Sequence, residues 1–312
     1  MNLYQINIHP SGGFYSEIKG DMLFGMFCSA IVDKFGQNKL DKYLEGYMQN
    51  APFVVFSDAF PKGYVPKPTL PYTYYKQESA NTGEAVLRRK EFKRKNWLPA
   101  DKAGVSSLEM SGFFEEVKYI SKELKTSVRL DPETHRTTGG KYSAYTLENL
   151  TYTQDLSLYV LIDETRITPQ EVQDLLLIIG QNGYGKKASA GCGKFEPAGN
   201  LEPAFFASKT ASSYLTLAPC VPQKDMFDGA KSFYHIFVRF GKHGGIRAKL
   251  ANPFKKPVLT AQTGAVFTLR GPQNLQFIGC GIGNISQSEP KTVFQGYAPV
   301  IPLDLTEISD DR

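Results

Sequence analysis

The sequence has few of the residues from which metal centres and disulfide frameworks are built. Its 312 residues include four cysteines and four histidines, and no two cysteines form a C-x-x-C pair. No apolar run approaches the ~18 residues of a membrane helix. The first ten residues alternate polar and apolar side chains, unlike a signal peptide. We therefore predict a cytoplasmic protein with free thiols and no structural metal.

Acidic residues are missing from one long region. Residues 229–288 contain no Asp or Glu, although the whole sequence has 31 of them. The cations of this acid-free stretch are Lys231, Arg239, Lys242, Arg247, Lys249, Lys255, Lys256 and Arg270. A shorter basic block covers residues 86–102, and aromatic residues such as Phe92, Trp97 and Phe240 are interleaved with both. This combination suits single-stranded nucleic acid; the alternative is a solvated face above core aromatics.

The remaining composition indicates a folded chain, because 41% of the residues are hydrophobic and 12% are aromatic. At this length two domains are expected. Periodicity predicts a strand at 2–8, a helix at 21–35, buried strands at 52–56 and 156–162, and a β-rich region after about residue 211. Between residues 60 and 150 the prolines predict an irregular insertion, which includes a hairpin or loop around 127–150.

A second helix is predicted by local capping signals. Thr168 supplies the N-cap hydroxyl, Pro169 occupies the first helical position, and Glu171 completes a capping box. Gly180 suits the C′ position, where a residue without Cβ enters the left-handed conformation at little cost. The helix therefore should end there.

A glycine-rich loop follows over residues 182–195. It is not a Walker loop, because Ala188 and Phe195 stand where that motif needs glycine and a hydroxyl, and G-x-G-x-x-G also fails. We therefore predict no nucleotide cofactor. Its glycines, with Lys186, Lys187 and Ser189, would present amides, cations and a hydroxyl to a phosphate backbone. A glycine-rich turn near a helix end is the alternative.

Catalytic residues are scarce. His135 is the one histidine in a polar, charged loop, between Arg129 and Arg136, so general acid or base chemistry in a metal-independent RNase is an alternative function. Such an activity needs a second group to activate the 2′-hydroxyl, and the sequence does not place one. The leading expectation is that the protein is not an enzyme.

Six segments together resemble the RAMP-superfamily subunit (Cas-five group) that binds the crRNA 5′ handle in type III-A (Csm) CRISPR effector complexes. The segments are residues 20–30, 57–68, 183–195, 239–245, 252–257 and 295–303. The glycine loop indicates the superfamily, and the proline-rich and C-terminal segments narrow it to this subunit. Many RAMP loops carry an aromatic residue or an arginine before the final glycine, where this chain has Cys192.

The resemblance implies an α+β protein with two ferredoxin-like (RRM-like) domains. Residues 1–210 would form the first, with the insertion at about 60–150, and residues 211–312 a degenerate, β-rich second. It also implies a non-catalytic subunit without cofactors. Its partners would be the crRNA 5′ handle, the large polymerase-like subunit (Cas-ten type) and the backbone RAMP subunit.

The RNA-binding residues expected from the motif match are Gly183, Tyr184, Gly185, Lys186, Lys187, Ala188, Ser189, Gly191 and Gly193. Lys242, Lys255 and Lys256 are transferred from the C-terminal motifs. The expected RNA-binding residues also include four chosen for their charge: Arg129, His135, Arg136 and Arg239.

Overall fold

The computed structural model describes residues 1–75, 83–128, 130–131, 133–137, 144–206, 211–271 and 273–305. The helices there are α1 (Gly20–Phe35), α2 (Gln37–Tyr43), α3 (Gly83–Arg94), α4 (Ser107–Met110) and α5 (Pro169–Asn182). The strands are β1 (Asn2–Ser11), β2 (Val54–Pro61), β3 (Tyr64–Pro66), β4 (Trp97–Pro99), β5 (Ile120–Val128), β6 (Ala144–Tyr152), β7 (Leu156–Ile162), β8 (Lys194–Pro197), β9 (Glu202–Pro203), β10 (Ser213–Thr216), β11 (Ile236–Arg239), β12 (Val258–Ala261), β13 (Val266–Thr268), β14 (Phe277–Ile282) and β15 (Phe294–Leu303). The α+β class expected from the sequence is confirmed.

The N-terminal sheet is antiparallel and has the strand order β2-β7-β1-β8, with β9 paired to β1. Helix α1 connects β1 to β2, and α5 connects β7 to β8. This is the arrangement of a split βαβ, ferredoxin-like sheet. The apolar stripes of both helices enter one core with the sheet, for example at Phe27, Ile31 and Leu175. The predicted strand at 156–162 coincides with β7.

Helix α5 begins as the capping signals predict and ends later. Thr168 Oγ1 accepts a hydrogen bond from the Glu171 amide at 3.2 Å, and the Glu171 carboxylate accepts one from the Thr168 amide at 2.9 Å. The expected C′ position at Gly180 is wrong. Gly180 lies inside the helix, where a Cβ would come within 2.0 Å of the Phe195 carbonyl oxygen, and Gly183 ends the helix at φ 92°. Gly180 therefore allows α5 to pack closely on β8.

The insertion between β2 and β7 is more regular than its prolines suggest. It contains the β3–β4 pair, helices α3 and α4, and the long β5–β6 hairpin. The expectation of a hairpin is confirmed, whereas α3 was missed because its strongly charged sequence, Gly83–Arg94, has no apolar stripe.

The C-terminal region is β-rich, as expected. Its main sheet has the order β13-β10-β15-β14, and β11 and β12 form a separate two-stranded ribbon. No α-helix occurs in the described residues between 211 and 305. Strand β15 was not predicted, because Pro299, Pro302 and Gly296 are unfavourable within strands.

The two sheets share buried contacts. Leu215 and Ile301 of the second sheet lie in one apolar cluster with Phe60 of the first. The buried amide of Gln295 on β15 also exchanges two hydrogen bonds with the Phe56 backbone of β2, at 2.8 and 3.0 Å. This contact fixes the C-terminal sheet against the strand that precedes the insertion.

Candidate nucleic-acid interface

The glycine loop is anchored at its base by Tyr184. The ring is fully buried, and its hydroxyl accepts a hydrogen bond from the Lys19 amide at 2.9 Å and donates to the Glu17 carbonyl at 3.1 Å. The Tyr184 amide donates to the Gly193 carbonyl at 2.7 Å. The expectation that the Tyr184 side chain contacts RNA is therefore wrong, because the ring is a core residue that fixes the loop.

Glycine is required at positions 183 and 193 because the backbone of the loop approaches both residues closely. Both have positive φ, 92° and 75°, and a Cβ on either would come within 2.4 Å of a backbone oxygen, that of Cys192 or Tyr184. These glycines are buried and shape the loop, so the ligand-facing part of the loop lies between them.

That central part is accessible and has unpaired amides. Lys186 and Ser189 are exposed, Gly185, Lys187 and Ala188 are half-buried, and Gly191 is exposed with φ 82°. The amides of Gly185, Lys186 and Lys187 donate no hydrogen bond to any part of the chain that the structure describes. Lys187 itself is left-handed, at φ 64°. Successive unpaired amides beside cations form a concavity suited to anions.

The β5–β6 hairpin lies next to this loop. Lys187 Nζ donates to the Tyr145 hydroxyl of β6 at 2.6 Å and lies 5.0 Å from its ring centroid. Near the base of the hairpin, Phe14 and Leu150 exchange backbone hydrogen bonds, and the Gly193 amide donates to Gly13. The loop, residues 12–14 and strand β6 therefore form one continuous surface.

The segment around His135 is an exposed turn beyond β5. The Asp131 carboxylate accepts hydrogen bonds from the Glu133 and Thr134 amides at 2.9 and 3.0 Å, which lower its pKa. His135 adopts φ 52°, and its ring makes no hydrogen bond with the described residues. Arg136 is exposed, and Arg129 lies outside the described residues. The described part of the turn therefore places His135 and Arg136 on the protein surface.

Arg239 faces the protein interior. Its Nε and Nη2 atoms donate to the Asp21 carboxylate of α1 at 2.5 and 2.7 Å, and the Asp21 side chain is only 1% exposed. Lys255 is half-buried, and burial lowers its pKa. The expectation that Arg239 contacts phosphate is therefore wrong, because its guanidinium neutralises a buried carboxylate.

Lys242 and Lys256 are exposed near the β11–β12 ribbon. Lys242 Nζ lies 5.4 Å from the ring centroid of Phe254, and Lys256 Nζ donates to the Asn284 side chain at 3.4 Å. Neither contact neutralises the charge. These two lysines therefore give the outer side of the ribbon a positive rim.

A second buried carboxylate joins α1 to the C-terminal region. Asp58 accepts hydrogen bonds from the Gly20 amide at 2.9 Å, from Lys19 Nζ at 3.0 Å and from Thr263 Oγ1 at 2.5 Å. Sequence reasoning missed this network, although Gly20 and Asp58 lie in segments that carried the family resemblance. Because Asp58 already occupies the amino end of α1, that helix terminus is not an anion site.

The aromatic residues of the basic block at 86–102 are half-buried and pack against the core. The ring of Phe92 lies 3.4 Å from Lys67 Nζ and packs on Tyr75 and Phe114. Burial, with nearby Lys95, lowers the pKa of Lys67 to about 8. Trp97 packs edge-on against Tyr119. Phe92 and Trp97 are therefore half-buried against core residues, and a contact between this block and RNA stays a prediction.

Other site classes find no support in the described part of the chain. It holds no cluster of three or more potential metal ligands, and none of its helices is long and apolar enough to cross a membrane. All four cysteines are free, as expected.

No family model and no curated protein sequence matches this chain. Solved structures match over nearly its whole length. A chain of the Csm1–Csm4 cassette in complex with pppApA aligns with TM-score 0.64 and 14% identity, covering 98% of this chain and 99% of that one. A chain of the Csm3–Csm4 subcomplex of the type III-A CRISPR–Cas interference complex aligns with TM-score 0.58 and 16% identity, covering 97% and 99%. Csm4 is the component common to both complexes. This chain has the Csm4 fold. The likeness in fold that the sequence resemblance led us to expect is confirmed, and at 14–16% identity it establishes the fold alone.

Proposed function

We propose that this chain is a non-catalytic, crRNA-binding structural subunit of a type III-A CRISPR ribonucleoprotein. The observation that carries the proposal is the exposed centre of the glycine loop, with the unpaired amides of residues 185–187 and the cations of Lys186 and Lys187 on a Csm4-like fold. Amides and ammonium groups recognise phosphate without reading base identity. The loop therefore suits the backbone of the 5′ handle.

The RNA path in this proposal runs from the loop along the hairpin. Lys186, Ser189 and Gly191 would contact phosphates, and Lys187 would do so while it holds Tyr145 at the edge of the loop. The exposed turn with His135 and Arg136 would extend this RNA path through contacts between its positive charge and phosphates. Single strands are commonly held by such a mixture of cations and rings.

The proposal also includes a linking role. The solved relatives in fold are Csm1–Csm4 and Csm3–Csm4 complexes. By that analogy the partners are a large polymerase-like subunit and a backbone RAMP subunit. We further propose the division into domains 1–210, with its insertion, and 211–312. The second would be a degenerate ferredoxin-like domain, since its described part contains no α-helix.

Co-expression tests the proposal. A tagged chain, produced with the large subunit, the backbone RAMP subunit and a CRISPR array, should co-purify with both proteins and with guide RNA that keeps its 5′ handle. The isolated chain, incubated with repeat RNA and chelator, should bind the RNA without cutting it. Absence of guide RNA from the purified complex would refute the binding role. Cutting in chelator would instead support a metal-independent endoribonuclease.

A further inference from the structure

The β11–β12 ribbon has its apolar side chains on the outside. Along residues 236–243 exposure alternates, with Ile236, Val238, Phe240 and Lys242 more exposed than the residues between them. Ile236 is 71% exposed and Phe240 77%. The residues turned inward include Arg239, which pairs with Asp21, and His243, which bonds Ser286 at 2.8 Å. Phe237, Val258 and Ala261 are the apolar ribbon residues that are half-buried or buried, while Ile236, Val238 and Phe240 face outward, unlike the polar outer side of a solvated strand.

The neighbouring strand extends this apolar face. Leu259 is directly opposite Val238 in the ribbon register and is 66% exposed. Phe254 is opposite Lys242 in a continuation of the ribbon and is also exposed. Directly opposite residues in an antiparallel pair point to the same face. We call Ile236, Val238, Phe240, Phe254 and Leu259 the ribbon face.

Charge indicates what covers this face. Lys242 and Lys256 are exposed at its rim, and the acid-free stretch that contains the ribbon has no carboxylate of its own to neutralise them. Exposed apolar patches with a polar rim mark interaction sites. A complementary surface has apolar side chains at its centre and carboxylates at its edge.

The rings of Phe240 and Phe254 suit either a protein or an RNA partner, and the aliphatic majority of the ribbon face favours protein. Ile236, Val238 and Leu259 are aliphatic and offer neither a ring for stacking nor a hydrogen bond to a base. In addition, β11 pairs only with β12 among the described strands.

We propose that the ribbon face docks a partner subunit of the complex through an apolar protein surface edged with acidic side chains. This inference rests on the proposed function and specifies which surface performs the linking role. It assigns the C-terminal cations to a protein contact and the glycine loop to RNA.

The test uses charge placed on the face. Leu259→Asp and Ile236→Asp are each produced in the tagged chain with both partner subunits and the CRISPR array. Leu87→Asp is the matched control, because Leu87 on α3 is 62% exposed and far from the ribbon in sequence. We expect each ribbon variant to lose about tenfold or more of one partner subunit. The isolated variants should keep the parent's melting temperature and bind handle RNA within about twofold.

Charge reversal provides a second measurement. Lys242→Glu with Lys256→Glu should weaken the same subunit contact and reduce its dependence on salt, since the acidic rim of the partner then meets like charge. Unchanged partner yield in all ribbon variants would overturn the inference while the unmodified chain still upholds the proposed function. Loss of RNA affinity in the isolated ribbon variants would make the face an RNA surface and also overturn it. If the unmodified chain retains neither protein nor RNA, both ideas fail.

Discussion

The glycine loop and the β11–β12 ribbon are both basic in sequence, but they direct their cations differently. In the loop, Lys186 is exposed beside unpaired amides. In the ribbon, Arg239 is turned inward onto a buried carboxylate, while aliphatic side chains face outward. Net charge along a segment therefore does not identify its partner. The direction of each side chain decides whether a cation binds a ligand or holds the fold together.

The largest expected effect concerns the inward cation. Arg239→Met leaves the Asp21 carboxylate, 1% exposed, without its counter-charge. Removing one partner of a buried pair typically costs about 3–5 kcal/mol of unfolding free energy. Urea denaturation measures it. Lys186→Met, in the loop, should change stability by less than about 0.5 kcal/mol.

A compensating variant separates lost charge balance from lost packing. Asp21→Leu together with Arg239→Met removes both charges, and we expect it to recover most of the stability, since apolar pairs of similar volume replace buried ion pairs well. If Arg239→Met alone lowers the unfolding free energy by less than about 1 kcal/mol, this ion pair does not hold the ribbon against α1.

The next effect tests the anchoring of the loop. Gly193→Ala places a Cβ 2.1 Å from the Tyr184 carbonyl oxygen, at φ 75°, whereas Gly191→Ala, at φ 82°, meets no heavy atom within 4 Å. We expect Gly191→Ala to lose about 1–2 kcal/mol from the left-handed conformation alone. Gly193→Ala should lose clearly more, by urea denaturation. Equal losses would show that the loop is not held against Tyr184.

Sequence reasoning succeeded where the signals were local. The capping box at Thr168 and Glu171 and the strand at β7 depend on neighbouring residues, so they could be predicted. The glycine loop was also recognised, but its division into buried and exposed halves was not. That division depends on contacts of Tyr184 with residues 17–19, far away in the chain.

The missed features depend on distant contacts. Arg239 and Asp21 are 218 positions apart, and nothing near either residue indicates the other. The face of the ribbon was equally hidden, because Phe237 and Val238 are both apolar and alternation alone does not say which of them is buried. Charge and hydrophobicity gave the correct residue types for an interface but not their orientation.

A smaller effect distinguishes the two basic regions by RNA binding. Lys186→Ala with Lys187→Ala should weaken handle binding and reduce the slope of log affinity against log salt by up to ~1.4, at ~0.7 per lost phosphate contact. The matched control, Lys242→Ala with Lys256→Ala, removes the same charge from the ribbon. It should leave the slope for the isolated chain unchanged. Equal slopes for both double variants would remove the functional difference between the regions.

The smallest effect is expected at His135, which belongs to neither region. Its ring makes no hydrogen bond with the described residues, and the neighbouring Asp131 carboxylate is already engaged by two amides. Positioned acid–base groups contribute ~100-fold to ~10,000-fold in rate, so a catalytic histidine would leave almost no cleavage when removed. His135→Ala should instead keep any cleavage of guide precursor or target RNA by the assembled complex within about a few-fold of the parent. The matched control is Thr134→Ala in the same turn. A loss of ~100-fold or more in the histidine variant alone, at normal assembly and RNA content, would make this exposed turn an active site.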